Sequence, residues 1–271
     1  LHLDVAGLPD GASAEFADND VVPPIATTLT IHAGRATALG QYVFTIRASG
    51  ASIDHEVGEG LYMTDSAPGQ GVIGIDFAGA ADLPEVPILP AIDAAGVVAK
   101  PNWNVATGLA GSGLALLDES GAGTGASLDW TSEASATLAL DPASGDAIMM
   151  DAFVDADATA SEVAVANLPP NAGGYFVYVY ADGDNGAQAN TGTYRFEDED
   201  GISSIDIVDA ANATFDGTFV QSTGGAGNYA VFFTGGTAFT LMAMPAAGST
   251  HAALNGIQIV RGDRIFASGF D

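Results

Sequence analysis

The chain has 271 residues, 48% of them hydrophobic, which is enough apolar material for substantial cores and leads to an expectation of two domains. Its 34 acidic residues stand against 6 basic ones, a net charge of −28 that argues against nucleic acid and anionic membrane surfaces as partners. There is no cysteine, so disulfides, thiolate metal sites and a cysteine nucleophile are excluded.

Glycine numbers 35 and charged residues make up only 15%, a composition that suits short strands between tight turns. The acidity has two readings: solubility in salty water, where screening tolerates self-repulsion, or the binding of hard cations that prefer carboxylate oxygens. No apolar run is long enough to span a membrane. LHLDVAGLPDG at the start reads as strand and turn, so an export signal, if one exists, is expected upstream of Leu1.

In chain order, residues 1–66 form the first block. TTLTIH (27–32) and QYVFTIR (41–47) alternate apolar and polar residues, as half-buried strands do. ASIDHEVGEGLYM (51–63) supplies another strand, and the connections GLPDG, VVPP and HAGRATALG are turn-rich. Residues 67–71 read as a linker. From 72 to 262 a second block offers many strand candidates, beginning with VIGIDFAG (72–79) and ending with NGIQIVR (255–261). Within it, AIMMDAFV (147–154), TFVQS (218–222), YFVYVYA (175–181) and TYRFE (193–197), which contains Tyr194, all read as strands, and nothing reads as a long amphipathic helix. Residues 82–103 are broken by prolines and are expected to form an irregular covering segment. Residues 263–271 read as a C-terminal tail. So many strands and turn signals predict a jelly roll for this block.

GLPDGA (Gly7–Ala12), Phe16, Pro23–Pro24, Leu29–Ile31 and Gly40–Ile46 together resemble the bacterial Ig-like modules found beside catalytic domains in secreted enzymes. Such modules usually carry about two strands before the GLP turn, on a seven-strand plan. Here only LHLDVA precedes it, so the resemblance implies a module incomplete at its N-terminus. An incomplete sandwich has an unpaired edge, and strand donation from a neighbouring subunit would fill it. The second block, through NWN (102–104), LLDESGAGTGASLDW (116–130), GGYFVYVYADGDNG (173–186), GNYAVFF (227–233) and NGIQIV (255–260), is similar to galactose-binding-like jelly rolls of secreted and surface bacterial proteins. That resemblance implies sugar ligands and a structural Ca²⁺. The ending RGDRIFASGFD resembles the C-terminus of exported gammaproteobacterial proteins and implies that Asp271 is a natural terminus. Its RGD triplet carries no weight, since tripeptides recur by chance.

The four histidines form no HExxH or other close metal-ligand pair, and there is no GxSxG elbow. With 34 acids a glycosidase-like pair is always available by chance, so an enzyme ranks last among the readings. ADGDNGAQANTG offers Asp182, Asp184 and Asn185 as cation ligands, with Asn190 nearby and glycines to bend the loop. The EF-hand pattern fails there, because Gly186 stands at its fifth position and Thr193 at its twelfth. The alternative is a polar loop whose Asp and Asn side chains cap local backbone groups. EDEDG (197–201) reads as a hairpin turn.

On the aromatic strand, Tyr175, Val177, Val179 and Ala181 share one face, and Phe176, Tyr178 and Tyr180 share the other. One face should enter the core, and the other would pack under a loop or offer a stacking platform for sugars. Trp103 with Asn102, and Tyr178, Tyr180 and Tyr194, are therefore the candidate ligand-binding residues. Aromatics in a β-sandwich are more often core, and Trp130, alternating with Leu128, is read as core.

The chain is thus expected to be all-β, an Ig-like β-sandwich followed by a larger jelly-roll β-sandwich. Its expected role is a non-catalytic carbohydrate-binding accessory region of a secreted or cell-surface bacterial protein. A structural or adhesive filament subunit, polymerising through the open Ig-like edge, is the alternative. Extracellular glycan or a neighbouring subunit is the expected partner.

Overall fold

Alternating apolar and polar residues make many of the strands in this chain, continuous buried runs make others such as Ile73–Gly79, and turns rich in glycine separate them. The computed structural model describes residues 1–19, 27–33, 40–50, 53–63, 71–79, 88–138, 140, 144–171, 173–211 and 214–262. It is nearly all β, as expected. Two compact units are built on Leu1–Pro68 and Gly69–Arg261. The expected linker at 67–71, apart from Gly71, and the tail at 263–271 lie outside the described residues.

The first unit contains β1 (His2–Ala6), β2 (Ala12–Phe16), β3 (Leu29–Ala33), β4 (Gly40–Gly50) and β5 (Ile53–Met63). β1, β4 and β5 form an antiparallel sheet in that order, and β2 pairs with β3. Phe44 is buried, with Val5, Leu29, Ile31 and Ile46 packed around it. The turn after β1 requires glycine: Gly7 has φ +86°, and a Cβ there would lie 3.0 Å from the Val43 carbonyl oxygen. The outward-facing amides of β1 are partly capped. Leu3 N–H donates to Asn19 Oδ1 at 2.8 Å, and Val5 N–H to Asp4 Oδ1 at 2.9 Å. Local carboxylates and amides at an edge discourage indiscriminate strand pairing.

The second unit runs through β6 (Ile73–Gly79), β7 (Asn104–Thr107), β8 (Ala110–Leu117), β9 (Gly123–Thr131) and β10 (Ala134–Thr137). A short helix α1 (Gly145–Asp151) leads into β11 (Ala152–Ala156), β12 (Ser161–Ala166), β13 (Tyr175–Tyr180) and β14 (Asn190–Asp198). β15 (Gly201–Asp209), β16 (Tyr229–Thr234), β17 (Phe239–Pro245), β18 (Ala252–Leu254) and β19 (Gly256–Arg261) complete it. A six-stranded sheet has the order β15-β14-β17-β12-β9-β8, and a five-stranded sheet the order β16-β13-β19-β6-β7. A third sheet joins β10, β11 and β18. Leu128, Val163, Phe196 and Leu241 from the six-stranded sheet share one buried core with Ile75, Val177, Val179 and Ile259 from the five-stranded sheet. That is sheet-on-sheet packing with alternate side chains turned inward.

The other face of the five-stranded sheet is also covered. Tyr180, Trp103, Met149, Met150 and Phe153 form a second buried cluster there. Residues 88–103 lie over it as irregular chain with a bridge between Ala95 and Lys100, in keeping with the expected covering segment.

Two strand assignments are corrected. Residues 147–151 are helical: Ser144 caps the helix by accepting the Ala147 N–H, and both methionines bury. A short apolar run fits either a strand or a buried helical turn, and periodicity alone does not separate them. Residues 218–222 are not a strand but make one isolated bridge, Gln221 to Tyr229. β7 and β18 were not foreseen. Among the described residues, no helix is long and apolar enough to cross a membrane.

Candidate functional site

The loop joining β13 to β14 descends into the molecule before it surfaces. Asp182 N–H donates to Asn255 Oδ1 at 2.7 Å, and Gly183 N–H donates to Asp209 Oδ2 at 2.7 Å. Asn255 is itself fully buried and donates from Nδ2 to the Met150 and Ala152 carbonyls. Gly183 suits a tight passage, since a Cβ there would meet the Ala253 Cβ at 3.2 Å. Asp184 is exposed, and its Oδ1 accepts the Gly186 N–H. Asn185 donates to the Ala210 carbonyl and accepts from Asn190 Nδ2 at 2.7 Å.

The surfacing part of this loop forms one wall of a pocket of about 240 Å³. Phe153, Tyr194 and Ala253 supply apolar lining. Asp184, Asn185, Asn190 and Asp209 contribute polar groups, and Asp155 and His251 contribute a hydrogen-bonded pair. His251 Nδ1 lies 2.7 Å from Asp155 Oδ2, and Asp155 Oδ1 accepts the Ala252 N–H at 3.1 Å. The pair fixes the imidazole and leaves Nε2 as its remaining hydrogen-bonding atom. Burial raises the Asp155 carboxyl above its ordinary value, and His251 opposes the rise. Neither Lys nor Arg lines the pocket, so it lacks the fork that recognises phosphate or carboxylate. Paired amides and carboxylates beside an aromatic wall match the hydroxyls and C–H surface of an uncharged polyol.

Asp209 also borders a second depression of about 370 Å³, together with Asp182 and Asp216. Burial, then the charges of Asp209 and Asp216, push the Asp182 carboxyl up to about 7. Burial pushes Asp209 up to about 6, against the Gly183 N–H and Asn185, which favour its charged form. Among the described residues, no three or more His, Asp or Glu side chains are placed so that they could hold a metal ion.

Of the aromatic residues read from the sequence, most have no free ring face. Trp103 is buried, with Nε1 donating to the Lys100 carbonyl, and Tyr180 is fully buried under residues 96–98, with its hydroxyl accepting the Val97 N–H. The covering segment accounts for both: it packs over the Tyr180 end of the second face of β13, so these two rings belong to a core. Tyr178 is half-buried and stacks on Tyr229, with ring centroids 6.1 Å apart. Asn102 takes a left-handed backbone, φ 57°, and donates to the Glu119 carbonyl. Tyr194 is buried with its hydroxyl donating to the Ala253 carbonyl, yet its ring lines the pocket. Trp130 is partly buried against the main core. Asp184 and Asn185 reach the pocket, whereas Asp182 faces the second depression. Asp155, Asp209 and His251 were not foreseen, because they come from three separate strand ends and no local motif joins them.

Neither a family model nor a curated protein sequence matches this chain. Among solved structures, a calcium-binding mutant of Bacteroides uniformis beta-glucuronidase 2 is similar over 93% of this chain and 26% of its own, at TM-score 0.37 and 7% identity. Bacteroides uniformis beta-glucuronidase is similar over 88% of this chain and 23% of its own, at TM-score 0.34 and 8% identity. The chain therefore spans about a quarter of the length of these enzymes.

Proposed function

We propose that this chain is a non-catalytic extracellular binding module whose ligand is a carbohydrate. It would serve as an accessory region of a secreted or cell-surface bacterial protein, with an Ig-like module leading into a galactose-binding-like jelly roll. A structural Ca²⁺ belongs to the same reading. The observation that carries it is the pocket beside the 182–190 loop, whose aromatic wall and ring of amide, carboxylate and imidazole groups suit a neutral sugar ring. A glycan array probed with the full chain, followed by calorimetry on any hit, tests it. His251→Ala should weaken binding about tenfold, near 1.4 kcal/mol, without loss of fold. An array with no hit, or equal binding by the variant, would refute the pocket.

The second reading, a filament subunit assembled by strand exchange, has support in the first unit. A groove of about 570 Å³ is lined by residues of β1 and β2, including Leu3, Val5 and Phe16. Both strands lie at the edges of their sheets. Electron microscopy of the purified chain tests it: regular polymers favour assembly, and a monomer at micromolar concentration favours the binding module.

A further inference from the structure

The chain contains two Asn–Gly pairs, Asn185–Gly186 and Asn255–Gly256. In such a pair the glycine nitrogen can attack the side-chain amide carbon of the asparagine, because no Cβ shields it. Asn185–Gly186 lies where the 182–190 loop surfaces, and a Cβ on Gly186 would meet nothing within 4 Å. The groups around this pair match what the attack needs. The Gly186 N–H donates to Asp184 Oδ1 at 3.2 Å, which sets a carboxylate on the attacking nitrogen. Asn190 Nδ2 donates to Asn185 Oδ1 at 2.7 Å, which polarises the carbonyl under attack and stabilises the charge that develops on its oxygen. Asn185 Nδ2 donates to the Ala210 carbonyl at 3.0 Å, which holds the amide in place. Asn255 differs: it is fully buried, and Gly256 is held in the sheet between Tyr180 and Asp76.

We propose that Asn185 is a self-modifying site: the folded loop promotes its deamidation, with Asp184 as the base and Asn190 as the donor to the carbonyl. The proton of the Gly186 N–H passes to Asp184 as the nitrogen bonds to the Asn185 Cγ. The Cγ–Nδ2 bond then breaks, and the leaving nitrogen takes that proton and departs as ammonia. Water opens the resulting cyclic imide at either carbonyl, leaving an aspartyl or an isoaspartyl residue. Both products replace the donor to the Ala210 carbonyl with a carboxylate. Because Asn185 lines the pocket together with Asp184 and Asp209, the conversion adds a negative charge beside theirs. The isoaspartyl product also reroutes the main chain through the side-chain carbon, so the wall of the pocket changes with the age of the molecule.

The test incubates the full chain at mildly alkaline pH and follows Asn185 and Asn255 by peptide mapping, with isoaspartyl methyltransferase labelling to separate the products. No sugar is present, so the result stands apart from the carbohydrate reading. The same incubation in urea gives the rate of the unfolded Asn–Gly pair. Native Asn185 should convert at least about tenfold faster than unfolded Asn185, a modest share of what a positioned base supplies. Native Asn255 should not convert. Asp184→Ala and Asn190→Ala should each slow the native rate and leave the rate in urea unchanged, which separates the base and the donor from the chemistry of the pair itself. A wild-type native rate in either variant would overturn the proposal. So would a native rate at Asn185 no faster than the rate in urea, a comparison that needs no variant to fold.

Discussion

Replacing Asp182 by Asn in the cation-free chain should change the pH dependence of stability in a calculable way. Burial and the charges of Asp209 and Asp216 push the folded-state carboxyl of Asp182 up to about 7 from its ordinary value of 3.8. The folded state therefore holds a proton that the unfolded state releases. Below about pH 4 the residue costs nothing, and its cost grows as pH rises through about 7 and is constant above that. At about 1.4 kcal/mol per tenfold in proton affinity, the limiting cost is about 4 kcal/mol, shared with the coupled Asp209. About 2.5 kcal/mol of that should develop between about pH 5 and about pH 8. Urea unfolding followed by tryptophan fluorescence reads this directly, since Trp103 and Trp130 both lie in the larger unit. The wild type in chelator should lose stability across that range, and Asp182→Asn should lose much less. Asp184→Asn controls for general self-repulsion. Parallel pH profiles for Asp182→Asn and the wild type would refute the reasoning.

Asn255→Ala should cost about 2–4 kcal/mol in urea unfolding, because it strips partners from the buried Asp182 N–H and the Met150 carbonyl together. Gly74→Ala should lower the melting temperature by several degrees, since its Cβ would lie 2.4 Å from the Trp103 ring, whose neighbours are themselves close-packed. Trp103→Phe should reduce stability and leave carbohydrate affinity unchanged, because the indole is buried away from the pocket; a selective loss of affinity in calorimetry would contradict that.

Most of the strands were legible because alternation survives in them: Tyr175, Val177 and Val179 are core, as their shared face predicts. The EDEDG turn was legible for a similar local reason, since the Asp198 carboxylate accepts the Asp200 and Gly201 N–H groups to close the hairpin. Exposure of Trp103 and Tyr180 was not legible. It depends on where residues 88–103 fold back, a long-range outcome that flanking prolines and asparagines do not encode. The ADGDN loop was recognised as polar and bendable, but composition does not say which acid turns inward. Asp182 does, through the Asn255 hydrogen bond made 73 positions away. His251 and Asp155 met only through the pairing of β11 with β18, 96 positions apart.

Hydrogen–deuterium exchange on the full chain, with and without a glycan found on the array and with Ca²⁺ present, tests the central claim most directly. The account predicts new protection confined to residues 183–190 and 250–253, the two segments that wall the pocket. Protection centred on β1 and β2, or none at saturating glycan, would contradict it.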